Sequence, residues 1–557
     1  PPRGGESDCR RIVYQAAPGE DVEIKGSEVV RNWMKVQDDV WKVTLPNSFF
    51  GSFNPYSDLI RGDWFNPKGR QHHTGAVYLN GDWLIEARER DEVLKPTAAT
   101  PLWFAEVDAS NTTIWAQFKG VNPNQQLVEI NVRQTVFYPN KPGMNYITLR
   151  GFALHHAATP WAPPTAEQVG LIGTHWSKGW IIENNTISHS ICSGIALGKY
   201  GDEWDNTSAN TAEGYVKTIE RALKNGWHKE TIGHHIVRNN TISHCEQAGI
   251  VGSLGAAFST IADNTIRDIH VRGLFSGAEM AGIKLHAAID ATIRSNHIYR
   301  TYRGLWLDWM AQGTRVSGNL FHENASEDLF VEVNHGPFLV DNNLFLSAIS
   351  LLDMSEGGAY VHNLLRGKII SRPEPNRSTP YHPPHSTVLA GLDNIQGGDN
   401  RFYNNILIGN GESTADSETT ASSKLQHAAG FGLWIYDARK LPLKTTGNLY
   451  WNGARPYSKE TNHVVQPAID PKVEVVEEGN QVSLHLSLDV ELKQAATTLV
   501  TTALLGIAKI PGVAYEDADG SPVRIDADYF GKKRSERSPT AGPFEALAAG
   551  SLTLRVW

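Results

Sequence analysis

Cysteine is scarce in this sequence: Cys9, Cys192 and Cys245 are the only three among 557 residues, too few and too widely spaced for a disulfide framework or a cysteine-based metal site. Long apolar runs are missing as well. No stretch of 18 apolar residues occurs, so no transmembrane helix and no membrane partner are expected. The start, Pro-Pro-Arg-Gly-Gly-Glu, is neither a basic n-region nor an apolar h-region, which points to a cytoplasmic location or to secretion after removal of a signal. Positive charge is not in excess either. With 51 Lys and Arg against 60 Asp and Glu, the net charge of -9 is a poor match for nucleic acid or polyuronate chains, which generally call for a basic surface. A neutral substrate fits better, and no metal or cofactor is expected.

What is abundant is Gly (50), Trp (16) and, above all, a recurring phrase built around Asn. An apolar pair, one or two polar residues, Asn and another apolar pair appear as WIIENNTISHS from 180, HIVRNNTISHC from 235, STIADNTIRDI from 259 and ATIRSNHIYRT from 291. They return as TRVSGNLFHEN from 314, FLVDNNLFLS from 338, AYVHNLLRG from 359 and RFYNNILIG from 401. The anchors are Asn185, Asn240, Asn264, Asn296, Asn319, Asn343, Asn363 and Asn405; from Asn296 to Asn363 they are 23, 24 and 20 residues apart. A period in the low twenties with short β-rich runs is that of one solenoid coil, which buries its apolar positions against the coils on either side. Leucine-rich repeats share the period, but their Leu-x-x-Leu-x-Leu phrase is missing. Asn suits a tight corner, where it tolerates left-handed backbone and can form an amide ladder between coils.

The expected fold is therefore all-β: a right-handed parallel β-helix over 141–450, with insertions near 200–232 and 366–400. Val216, Ile219 and Leu223 fall at helical spacing in the first insertion. Outside the repeat, runs such as VWKVTL, LVEINVRQTVF and GSLTLRVW alternate apolar and polar residues as antiparallel strands do. Residues 1–140 and 451–557 are read as the two parts of one split β-sandwich packed against the helix, with two separate small domains as the alternative.

Eight or nine residues after most anchors a second strand begins: GIALG (194–198), GIVGS (249–253), GIKLH (282–286), GLWLD (304–308) and DLFVE (328–332). Their second and fourth residues are mostly apolar and must face the core, so the third and fifth point outward. The outward columns read Ala196, Val251, Lys284, Trp306, Phe330 and Gly198, Ser253, His286, Asp308, Glu332. An aromatic pair beside a His, an Asp and a Glu on successive rungs suits a sugar-stacking platform next to an acid/base set. Trp306 and Phe330 could equally contact the sandwich, Lys284 could pair with an acid or bind a hydroxyl, and His286 could orient Asp308 or bind a sugar hydroxyl. Rungs ~4.8 Å apart bring the two carboxyl groups to roughly 5 Å, the separation of a retaining glycosidase. Glu279 enters the rung of His286, Asn334 and His335 follow Glu332, and Glu356 enters the next rung; these complete the candidate substrate contacts.

The blocks LWLDWMAQGTRVSGNLFHEN and EDLFVEVNHGPFLVDNN resemble glycoside hydrolase family 120, the β-xylosidases that set a parallel β-helix beside a β-sandwich. The resemblance implies that Asp308 matches the nucleophile and Glu332 the acid/base. It also implies a retaining exo-enzyme that releases xylose from β-1,4-xylo-oligosaccharides, and a homo-oligomer. A uronate lyase would need Ca²⁺-binding acids and a basic residue on the same face, where only Lys284 stands. An inverting polygalacturonase and a non-catalytic carbohydrate-binding β-helix remain as alternatives; the latter has no need of paired acids.

Overall fold

A computed structural model describes residues 1–95, 99–411, 428–488 and 495–557. The chain forms a right-handed parallel β-helix, divided into two compact units: residues 1–215, 240–253 and 267–281, and residues 216–239, 254–266 and 282–557.

In the first unit the coils begin earlier than the repeat suggests. Strand Ile12–Gln15 pairs in parallel with Ile147–Arg150, and Val22–Lys25 with Phe152–Ala157, so the N-terminal residues supply rungs of the helix. Between these rungs sits an inserted sandwich. One of its sheets holds Met34–Gln37, Val40–Pro46, Asn111–Gln117, Leu102–Val107 and Ile85–Glu86; the other holds Ser27–Val29, Val128–Asn131, Val77–Leu79 and Asp82–Trp83. They share one core, in which Val43, Trp103 and Ile114 meet Val77, Val128 and Ile130.

In the second unit the coils present three parallel faces, the third of which ends at Lys368–Ser371. The face of interest stacks Ala281–His286, Leu305–Asp308, Glu327–Glu332, Ile349–Met354 and Lys368–Ser371. The helical spacing in the first insertion is an α-helix, Ala212–Lys224, which buries Ile219 and Ala222.

The C-terminal segment corrects the expectation of one split sandwich. His463–Gln466 still pairs with helix strand Asn448–Trp451. Beyond it, Glu474–Glu478, Gln481–Leu488 and Gly550–Arg555 form a three-stranded sheet of their own. Its alternating Val482, Leu484, Leu486 and Leu488 pack on Leu320, Leu344, Leu364 and Ile406 of the helix, which stand in one register column. A sheet with one apolar face needs only one cover, and this column of branched side chains provides it.

The anchor asparagines are buried and bonded coil to coil. Asn319 shows the pattern: its Oδ1 accepts from the backbone N–H and Nδ2 of Asn296, while its own Nδ2 donates to Ile293 O and to Asn343 Oδ1. The ladder runs on through Asn363 and Asn405 to Asn448, a rung the phrase TTGNLYW conceals. Left-handed backbone falls on the residue before each anchor, as at Ser295, Gly318, Asn342, His362 and Asn404 (φ 49° to 61°), and the anchor itself serves the ladder. Asn319→Ala should leave several buried groups unsatisfied and cost about 3 kcal/mol of stability. Denaturant unfolding of the variant checks this; an unchanged midpoint would show the ladder to be dispensable.

Candidate active site

Register places the chemistry. His286 aligns with Asp308 and Asp308 with Glu332, while Lys284, Trp306 and Phe330 form the neighbouring column. The alternation read from the sequence is correct, yet this outward face is not open. Lys284 is fully buried, and Asp308 and Glu332 are 5 % and 9 % exposed.

Burial pushes both carboxyl groups up, and their partners then separate them. Asp308 Oδ2 accepts from Lys284 Nζ at 2.7 Å and lies 3.1 Å from His286 Nε2. Attraction to His286 and Lys284 outweighs desolvation and holds Asp308 below its ordinary carboxylate value. Its Oδ1 has no hydrogen-bond partner among the described residues. Glu332 lies in the opposite setting. Burial and the nearby Asp308 charge raise it above its ordinary value, although Arg377 and Lys284 oppose the shift. Its Oε2 accepts from the Trp306 indole N–H at 3.1 Å, and its Oε1 is ion-paired with Arg377.

Trp306 is not a free platform. Lys284 Nζ from the coil before sits 3.2 Å from its ring centroid, and Phe330 from the coil after stacks at 4.9 Å. With both column neighbours against the ring, stacking on a sugar gives way to positioning Glu332 through the indole N–H. Phe330 is likewise buried against Trp306, and Arg303 lies 4.5 Å and 5.3 Å from the two ring centres.

The corner residues also serve the scaffold. Asn334 donates to Leu307 O and accepts from the Ala311 N–H, repeating the coil-to-coil pattern. His335 Nδ1 meets Glu356 Oε1 at 2.6 Å, and its Nε2 lies 3.1 Å from both Thr379 O and Asp393 O. Those carbonyls belong to the two strands of a hairpin, Ser378–Tyr381 and Gly391–Asn394. Glu356 Oε2 accepts from the backbone N–H groups of Gln396 and Gly397. The pair therefore fastens the second insertion to the helix, with its polar atoms committed to that task. Glu279 belongs to the first unit, where it is fully buried with left-handed backbone (φ 66°).

Arg377 and Arg303 escaped the sequence reading. Arg377 stands inside the Pro-rich insertion, which has no register with the coils, so no spacing marks it. Arg303 precedes the strand rather than alternating within it.

A structure described as a complex of XylC with xylose shares 42 % sequence identity over 100 % of this chain and 92 % of that one, with a TM-score of 0.94. The chain belongs to glycoside hydrolase family 120. Residues 30–130 of this hydrolase match the model of the family 120 insertion domain, which coincides with the N-terminal sandwich, and 169–366 match that of the right-handed β-helix region. A second structure, described as a glycoside hydrolase, shares 11 % identity over 70 % of this chain and 83 % of that one; its TM-score of 0.41 is too low to bear on the site. No curated protein matches the sequence.

Arg377→Ala removes a cation from Glu332 and should raise its pKa further. A carboxyl-region infrared titration against Glu332→Gln checks the sign; a downward shift would contradict the assigned electrostatics.

Proposed function

We propose that this hydrolase is a retaining, exo-acting β-xylosidase, with Asp308 as nucleophile and Glu332 as acid/base, hydrolysing β-1,4-xylo-oligosaccharides to xylose. The observation that carries the reading is the contrast between two carboxyl groups on adjacent rungs. Asp308 has its pKa lowered and Oδ2 held by two basic side chains, with Oδ1 unbonded; Glu332 has its pKa raised. Adjacent rungs ~4.8 Å apart support the short separation of a double displacement over the roughly 6.5 to 9.5 Å that accommodates a water. The 42 % identity to XylC, described in complex with xylose, supports the choice of sugar.

In the first step Asp308 Oδ1 attacks the anomeric carbon while Glu332 gives its proton to the departing glycosidic oxygen, and the C–O bond breaks. Lys284 and His286 keep Asp308 ionised for this attack and hold its other oxygen still. In the second step Glu332, now a carboxylate, takes a proton from water; the hydroxide portion displaces Asp308 and releases xylose. The indole N–H of Trp306 fixes Glu332 through Oε2, which leaves Oε1, the oxygen beside Arg377, to exchange the proton.

Activity should fall at low pH as Asp308 protonates, below the usual carboxylate range, and at high pH as Glu332 loses its proton, above that range; the pH profile of kcat/KM reads both limbs. The decisive experiment uses Glu332→Ala. It should be severely slow on xylobiose, whose leaving group needs protonation, yet form the intermediate readily from a dinitrophenyl xyloside. Added azide should then restore turnover and yield β-xylosyl azide, because two inversions retain configuration. An α-azide, or rescue with Asp308→Ala in its place, would reverse the roles or refute the retaining mechanism.

A further inference from the structure

On another face of the helix, strands His297–Tyr299 and Leu320–His322 align so that Tyr299 stands beside His322, with Arg300 and Glu323 at the same corner of successive coils. The C-terminal sheet lies against this face and brings Glu477 from strand Glu474–Glu478. One ligand atom each of His322, Glu323 and Glu477 lies within 4.8 Å of the others.

Two acids and a histidine alone would be unremarkable surface chemistry, but His322 is not on the surface. Its side chain is 3 % exposed, and its buried Nδ1 has no hydrogen-bond partner among the described residues. The other nitrogen, Nε2, is 2.7 Å from His297 Nε2. Between two neutral imidazoles one nitrogen must donate, and donation by His322 leaves its Nδ1 as a bare lone pair. That lone pair is 3.8 Å from Glu323 Oε2, too far for a hydrogen bond. Two ligands of one tetrahedral ion with bonds of 2.0–2.1 Å stand about 3.3 Å apart, a separation that a small turn of the Glu323 side chain supplies.

We propose that His322, Glu323 and Glu477 bind a divalent transition-metal ion of the Zn²⁺ class, which ties the C-terminal sheet to the coils. One imidazole and two carboxylates with water in the remaining position are a Zn²⁺ donor set, and the bond from Nε2 to His297 orients the ligand ring as outer partners of metal-bound histidines do. Arg300 balances the two acids. Its pairs are long, 3.7 Å to Glu323 and 3.4 Å to Glu477, and its guanidinium rests on the Tyr299 ring at 4.3 Å. Such half-exposed pairs are weak, and the ion takes the place of the guanidinium.

The test uses the full-length protein after EDTA treatment, titrated with Zn²⁺. Calorimetry should count one tight ion per chain, and Zn²⁺ at a hundredfold excess over Kd should raise the melting midpoint by about 2 °C. The double variant E323Q/E477Q, at exposed positions where the fold is not at stake, should lose at least tenfold in affinity and lose the thermal shift. Arg300→Ala should bind more tightly than the parent, because a competing cation is gone. Turnover should be the same in all three. Zn²⁺ binding and thermal shift that are equal in the parent and the double variant would overturn the site, as would no binding to the parent. Weaker binding by Arg300→Ala would overturn displacement of the guanidinium.

Discussion

Within the second unit the coils carrying Asn296, Asn319 and Asn343 lie in register on one another, and that constraint decides what their outward side chains meet. The asparagine ladder enforces it from within. Each anchor accepts from the backbone and side chain of one neighbouring anchor and donates to the other, so a slip by a single residue would leave buried amides unpaired on both sides. With the register held, a residue on one strand has a fixed neighbour ~4.8 Å away on the next. Asp308 and Glu332 are paired by this arithmetic, and so are Trp306 and Phe330.

Register alone would produce two similar acids. Their difference comes from what burial does to the surrounding charges, since the same desolvation raises both groups and makes each partner more effective. Lys284 and His286 converge on one oxygen of Asp308, whereas Glu332 receives an indole N–H and a single arginine from a distant part of the chain while facing the Asp308 charge. The outward column thus has an electrostatic polarity along the helix axis, basic on the side of the preceding coil.

The insertions supply what a regular solenoid cannot. A hairpin projecting from the coils is free to carry Arg377 to Glu332, and the His335–Glu356 pair is the price of holding it there, clamped to both of its strands. A rigid scaffold with chemistry delivered by an anchored loop is a common division of labour. The C-terminal sheet is a second addition, and its apolar face explains why a column of leucines stands on the outside of the helix.

The β-helix, the strands of the candidate site and the order of the outward residues follow from the sequence by itself, because period and alternation are local properties that each coil repeats. The pairing of Asp308 with Glu332 was legible for the same reason: each closes the strand that follows an anchor, GLWLD after Asn296 and DLFVE after Asn319, and aligned strands imply adjacency. What lies against the rungs was decided only by tertiary structure. That the platform of Trp306 and Phe330 is filled by Lys284 and Arg303, that Arg377 reaches Glu332, and that Asn334, His335 and Glu356 are committed to the scaffold depend on side chains from segments without register. The two ends of the chain carry similar alternating patterns, yet one closes a sandwich on itself and the other covers the helix. Alternation specifies that a strand has an apolar face; which surface buries that face depends on shape complementarity in three dimensions, and no periodicity records it.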